Sequence, residues 1–272
     1  MTGSAGPGLS HWEGEPLHVW RDLWRVPDVE AWTSVGSTNA RAREWAATGG
    51  APWSLVVAEE QTAGRGREGR PWRSESGRGL WFSLIARDEG PATGLLALRV
   101  GLGVATVVRS LGGGASVGLK WPNDLWWQDR KLGGILCTRD SVATVIGVGL
   151  NLRSPEAGDY TVTPAGLDEV VEGRVARGPL LGALVASIRS CVEAGGARLS
   201  PVELERLRGC DCLRDRAVRC EPGPGGIARG VGPDGGLRIE TGKGIRTVHA
   251  GTVRPIGPTS RSAARDAGEE AS

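Results

Sequence analysis

Apolar positions along this chain follow two periods in turn. Leu55 to Glu59 and Leu80 to Arg87 are short apolar runs bounded by polar loops, which predicts buried strands, and an extended stretch before them ends at Val35. Ser37-Thr38-Asn39 precedes the amphipathic Ala40 to Ala47, so Ser37 or Thr38 is placed to cap a helix. Leu95, Leu98, Leu102 and then Val104, Val107, Leu111 recur at steps of three and four, predicting a helix across roughly 93 to 111. Strands are expected near 117 to 121, 131 to 138 and 142 to 152. A second helix is expected near 179 to 194, where Leu181, Leu184, Ile188 and Cys191 share a stripe. A third, near 201 to 208, follows Ser200-Pro201, an N-cap with proline at the first helical position. The implied fold class is α+β, a mixed sheet covered by helices.

The pattern changes near Arg214. Ala217 to Cys220, Ile227 to Val231, Gly236 to Thr241 and Ile245 to His249 are short strand candidates separated by glycine-rich turns, which suggests a small SH3-like β-barrel. The expected organisation is a poorly structured leader over 1–25, a main domain over 26–212, the barrel over 213–257 and a disordered tail over 258–272. That leader is too short for a separate DNA-binding domain, so no DNA partner is expected.

Composition narrows the function classes. The 272 residues carry a formal charge of only +2, so affinity for a polyanion would need local clustering. No apolar run is long enough to span a bilayer and no secretory signal opens the chain; a soluble, cytoplasmic protein with no membrane partner is expected. Five cysteines at irregular spacing argue against a disulfide framework, and with only three histidines no metal-ligand set forms, so no resident metal site is expected. All eleven tryptophans lie between Trp12 and Trp127, where most are expected to be core or interface residues.

Four stretches carry candidate chemistry. Between Gln61 and Trp72 the chain reads Gln-Thr-Ala-Gly-Arg-Gly-Arg-Glu-Gly-Arg-Pro-Trp. Its glycines allow close backbone approach, and Arg65, Arg67 and Arg70 suit phosphate or carboxylate; a solvated basic linker is the bland alternative. Lys120-Trp121-Pro122-Asn123-Asp124 holds Asn123 and Asp124 at the end of a strand, although such residues often do no more than satisfy their own turn. Lys131 heads the strand Leu132-Gly133-Gly134-Ile135, where strict alternation puts it on the face of Gly133 and Ile135. From Val142 to Leu152, alternation sets Gly147, Gly149 and Asn151 on one face, bare enough for a flat ligand or for a packed helix.

Taken in order, Gly-Ser-Thr-Asn (36–39), the arginine loop (61–72), Lys-Trp-Pro-Asn-Asp-Leu (120–125), Arg-Lys-Leu-Gly-Gly-Ile-Leu (130–136) and Gly-Val-Gly-Leu-Asn-Leu (147–152) resemble the biotin protein ligases. The resemblance covers residues 30 to 152. It implies a class II synthetase-like catalytic domain followed by the small barrel. The implied reaction uses Mg-ATP to activate biotin as biotinyl-5′-adenylate, then transfers biotin to a lysine on a carboxylase carrier domain. It further implies that Ser37, Thr38, Asn39, Gln61, Arg65, Gly66, Arg67 and Lys131 contact biotin. Arg65, Arg70, Trp72, Lys120, Asn123 and Asn151 would face the nucleotide, and Lys131, Arg67 and Asp124 would act in the chemistry. Asn123 and Asp124 lie toward the nucleotide's magnesium, or Asp124 instead serves the acceptor lysine. The cofactors implied are ATP and Mg2+. The partner is the biotin carboxyl carrier domain of an acyl-CoA carboxylase or pyruvate carboxylase, and the ligase is a monomer or weak homodimer. This chain resembles the form without an upstream DNA-binding domain, and its ending, Gly251 to Pro255, matches the family only loosely, leaving Arg254 without a firm role. A lipoate ligase and a nucleic-acid-binding module are the competing readings.

Overall fold

The computed structural model describes residues 8–86, 93–113, 116–141, 143–156, 158 and 160–257. Seven strands form the main sheet: β3 (Val29–Val35), β4 (Leu55–Gln61), β5 (Gly79–Ala86), β6 (Gly118–Lys120), β7 (Asp124–Trp127), β8 (Arg130–Arg139) and β9 (Thr144–Asn151), in the order β3-β4-β5-β9-β8-β7-β6. Only β3 and β4 run parallel, because helix α2 (Thr38–Ala47) crosses between them; the other neighbours are antiparallel. Alternation sorts the side chains onto two faces. Leu55, Val57, Ile146, Val148 and Leu150 enter the large core beneath α3 (Thr93–Ser110) and α4 (Arg177–Glu193), whereas Val56, Ile85 and Val145 meet Ala42 of α2 on the other face. Because α2 covers only part of that second face, room is left beside its N-terminus.

The expected helices and most strands lie within a few residues of their predicted ends, and α5 (Pro201–Arg208) starts with a reciprocal capping box between Ser200 and Glu203. The stretch expected as a poorly structured leader differs. From residue 8 onward it is ordered, with a two-residue pair β1 (His11–Trp12) and β2 (Glu15–Pro16) followed by α1 (Leu17–Trp24). Trp12, Trp20 and Trp24 are buried against one another, and Trp24 Nε1 donates to the Gly178 carbonyl of α4 at 2.9 Å. A Cβ at Gly178 would come within 2.1 Å of the Trp20 ring, so glycine lets α1 dock. The expected tail over 258–272 lies outside the described residues.

Five strands follow α5: β10 (Ala217–Glu221), β11 (Gly225–Val231), β12 (Leu237–Thr241), β13 (Gly244–Val248) and β14 (Thr252–Pro255), the last unforeseen. They form one antiparallel sheet in the order β13-β12-β11-β10-β14, with β13 and β14 as its two edges. This is consistent with the expected small SH3-like barrel, although among the described residues the two edge strands do not pair to close it. Its inward residues Val218, Cys220, Ala228, Leu237, Ile239 and Val253 join the large core of the main domain, so the apolar face is covered without closure.

Candidate active site

The site is built where β3 ends. Ser37 caps α2 through Ala40 N, and the next two residues face the bare side of the sheet. Thr38 donates from both its backbone N and its Oγ1 to Gln61 Oε1, at 2.9 and 3.1 Å, and its hydroxyl meets Ser83 Oγ at 2.9 Å. Gln61 Nε2 in turn donates to Ser74 Oγ at 2.7 Å. Asn39 is fixed between Thr138, whose hydroxyl donates to Asn39 Oδ1 at 3.0 Å, and the Leu136 carbonyl. The result is a preformed polar corner of hydroxyls and amides with little freedom to rotate.

The arginine loop folds back as a narrow excursion between β4 and β5. Gln61 N bonds Ser74 O, Trp72 N bonds Gly64 O at 2.9 Å and Gly66 N bonds Arg70 O at 2.7 Å. Glycine is required at 64, where a Cβ would lie 2.5 Å from the Trp72 carbonyl oxygen. Arg67 Nη1 reaches Asn123 Oδ1 at 3.4 Å, so the loop leans over the 121–124 turn. The Trp72 ring lies on β9 and β8: a Cβ at Gly149 would approach it to 2.7 Å, and one at Gly134 to 3.3 Å. Lys131 Nζ is 5.1 Å from that ring's centroid.

The face of Lys131 is corrected by the structure. Between β7 and β8 the register slips, with Leu125 opposite Gly133 but Trp126 opposite Lys131. This bulge turns Lys131 onto the side of Gly134, whose would-be Cβ is 3.5 Å from Lys131 Nζ, while Gly133 and Ile135 face the core. Lys131 Nζ then pairs with Asp124 Oδ1 at 2.8 Å, and Lys120 Nζ lies 3.7 Å from Asp124 Oδ2. One carboxylate thus serves two ammonium groups. Burial pushes the pKa of Lys120 below the ordinary lysine value, with Asp124 opposing and Lys131, Arg67 and Arg70 reinforcing the fall. Asn123 is locked by exchange with Ile135, and Asn151 Nδ2 holds the Lys131 and Ala165 carbonyls.

These parts surround one cleft of about 700 Å³. Every site residue expected from the sequence lines it: Ser37, Thr38, Asn39, Gln61, Arg65, Gly66, Arg67, Arg70, Trp72, Lys120, Asn123, Asp124, Lys131 and Asn151. Sequence reasoning missed Ser83, Trp126, Arg73 with Tyr160, and Thr252; only the polar position of Ser83 within an apolar strand carried any signal. Arg254 also lines the cleft. Seven arginines and lysines face it against Glu68, Asp124 and Asp129, so a nearly neutral chain concentrates positive charge at one place. Among the described residues no cluster of three or more His, Cys, Asp or Glu could hold a metal ion. A cationic, glycine-floored cleft with a polar corner suits a flat, hydrogen-bonding acid and a phosphate-bearing partner.

The family model for "Biotin/lipoate A/B protein ligase family" matches residues 33–152, the span that contributes the polar corner, the arginine loop and both lysines. Over residues 33–152 the chain is therefore similar to the biotin/lipoate A/B protein ligase family. The bifunctional ligase/repressor BirA of Escherichia coli is 35% identical over 195 residues, covering 68% of this chain and 60% of BirA. A biotin--[acetyl-CoA-carboxylase] ligase of Mycobacterium tuberculosis is 42% identical over 147 residues, covering 52% of this chain and 54% of its own. The chain thus spans about 60% of the length of the first of these relatives. Among solved structures, the biotin protein ligase of Aquifex aeolicus in complex with biotin and ATP superposes with a TM-score of 0.75 at 24% identity, over 85% of this chain and all of that one. The Leishmania major biotin protein ligase with biotin gives 0.59 at 25% identity, over 85% and 98% of the two chains. The fold, including the C-terminal sheet, is that of the biotin protein ligases.

Proposed function

We propose that this chain activates biotin with ATP and transfers it to a lysine of a biotin carboxyl carrier domain, as found in acyl-CoA or pyruvate carboxylases. The biotin carboxylate oxygen attacks the α-phosphorus, the bond to the bridging oxygen breaks, and pyrophosphate leaves. The carrier lysine, as a free amine, then attacks the acyl carbon and AMP departs with the bonding pair. In this reading Ser37, Thr38, Asn39 and Gln61 pair the ureido ring, and Gly147 and Gly149 give the floor. Arg65, Gly66, Arg67 and Trp72 close over the adenylate.

The observation that carries the reading is the Lys131–Asp124–Lys120 group at the junction of the glycine floor and the basic wall. Two anions must meet there, and a positioned cation lowers the cost of bringing them together. Asp124 aims Lys131, Lys120 adds charge on the nucleotide side, and Asn123 and Asn151 fix the backbone around them. Magnesium fits only as an ion carried by the triphosphate. A lone carboxylate between two ammonium groups cannot cage it, and such ions keep most ligands as water and phosphate oxygens. When bound, it would neutralise the departing pyrophosphate.

Biotin-dependent exchange of labelled pyrophosphate into ATP tests the first half-reaction. Lys131→Ala is expected to reduce exchange by about 10²–10³-fold while keeping the native melting temperature. Native exchange in that variant alongside loss in Lys120→Ala would reassign the roles, and exchange supported by lipoate but not biotin would replace the substrate. Mass spectrometry of a carrier domain incubated with the chain, biotin and Mg-ATP tests the second half-reaction.

A further inference from the structure

Strand β14 brings the C-terminal sheet to the rim of the cleft. Thr252 and Arg254 share one side of it, opposite the fully buried Val253, and both line the cleft wall. The strand is held along its length by β10, with Glu221 opposite Thr252 and Val218 opposite Pro255. Its entry is constrained as well. Gly251 has φ +122°, and a Cβ there would come within 3.0 Å of both Cys220 Sγ and the Glu221 carbonyl oxygen. Thr252 is therefore presented on a fixed backbone.

The Thr252 hydroxyl accepts a hydrogen bond of 2.6 Å from Arg70 Nη2, a contact spanning 182 residues of sequence. The same nitrogen donates to Glu68 Oε2 at 2.6 Å, and Glu68 takes up a left-handed φ of +59° inside the loop. The Arg70 carbonyl meanwhile accepts from Gly66 N at 2.7 Å, so whatever restrains Arg70 restrains the stretch holding Arg65 and Arg67. Arg70 alone meets that hydroxyl of the other sheet, and Glu68 and Gly66 are tied to the loop through Arg70.

We infer that Thr252 is a positioning residue which, through Arg70 and Glu68, clasps the arginine loop over the cleft. Arg70 acts on the nucleotide through the shape of the loop, and its guanidinium is directed to Glu68 and Thr252. The inference deepens the ligase reading and rests on it where it names what the loop retains, the acyl-adenylate. The clasp itself is independent of the ligand.

Limited trypsinolysis of the full chain without substrates tests the clasp. Trypsin can cut after Arg65 and Arg67, whereas Arg70 precedes Pro71 and resists. Loss of one such hydrogen bond in Thr252→Val is expected to speed cutting at Arg65 and Arg67 roughly three- to tenfold, Arg70→Met to do the same, and Thr252→Ser to cut at the native rate. Native rates in Thr252→Val would overturn the inference, as would acceleration spread over arginines outside the loop. In a second arm with biotin and Mg-ATP, Thr252→Val is expected to release the adenylate several-fold faster than native, with its formation little changed. A native chain that forms no adenylate would sink the ligase reading while leaving the trypsin comparison intact.

Discussion

Lys120 is a buried cation whose nearest carboxylate already serves Lys131 at shorter range. Its lowered pKa follows from lost hydration, and it ties activity and stability to pH with opposite signs. Between its folded value and the ordinary 10.5, the unfolded chain binds more protons than the folded one, so stability rises with pH across that window. Activity runs the other way if the cation is needed at the nucleotide, because the same rise removes its charge. Pyrophosphate exchange is therefore expected to fall on the alkaline side earlier than an ordinary lysine allows. Lys120→Arg is expected to move that fall upward, since a guanidinium keeps its proton. In urea titrations Lys120→Met is expected to exceed the native chain in stability at pH 7, with the gap closing as pH rises. An alkaline limb identical in native and Lys120→Arg chains would remove Lys120 from the charge-bearing set.

At the scale of elements, β9 shows how a strand becomes the floor of a cleft. Val145, Gly147, Gly149 and Asn151 share one face: the first is buried under α2, and the next three open into the cleft. Alternation predicted that face and its bareness correctly, because nothing interrupts the period of two along β9. The same rule misplaced Lys131, since a one-residue bulge opposite β7 leaves no mark in the residues themselves, and the four-residue β7 was hidden behind a turn-like Pro-Asn-Asp. Helix α1 was missed for a related reason: part of what holds its tryptophans is α4, which is far away in sequence. The floor itself can be tested. A Cβ on Gly147 would sit 3.1 Å from Asn39 Nδ2 and 3.3 Å from the Leu136 carbonyl, tight enough to displace Asn39. Gly147→Ala is expected to weaken biotin binding by about 1–3 kcal/mol in calorimetric titration, with a smaller loss of overall stability. Unchanged affinity would take the ureido corner away from Asn39.

At the scale of the molecule, the polar corner, the lysine pair and the loop rim come from parts whose assembly no local pattern encodes. The β11–β12 turn docks on α3, where a Cβ at Gly235 would lie 2.8 Å from Leu95, and the Gly235 carbonyl accepts from Trp121 Nε1 at 2.9 Å. Trp121 opens the turn that carries Asn123 and Asp124, so the C-terminal sheet contacts that turn as well as the arginine loop, which Thr252 meets. The fully buried Arg99 adds a strap from α3 to Glu203 of α5 and the Gly196 and Arg198 carbonyls. With the sheet's inner face in the same core as the main domain, the two units are expected to unfold together in one cooperative transition. The chain supplies its own probes. Tryptophan fluorescence reports chiefly the half up to Trp127, with Trp121 also at its contact to the C-terminal sheet, and the buried Cys220 thiol reports that sheet itself. In urea, the fluorescence midpoint and the midpoint for labelling of the Cys220 peptide are expected to coincide. Trp121→Phe, which leaves the Gly235 carbonyl without its partner, is expected to lower both together by about 1–3 kcal/mol. Labelling of Cys220 at distinctly lower urea than the fluorescence change would mean that the sheet detaches on its own. The cleft would then lose the Thr252–Arg254 wall while the lysine pair still stood.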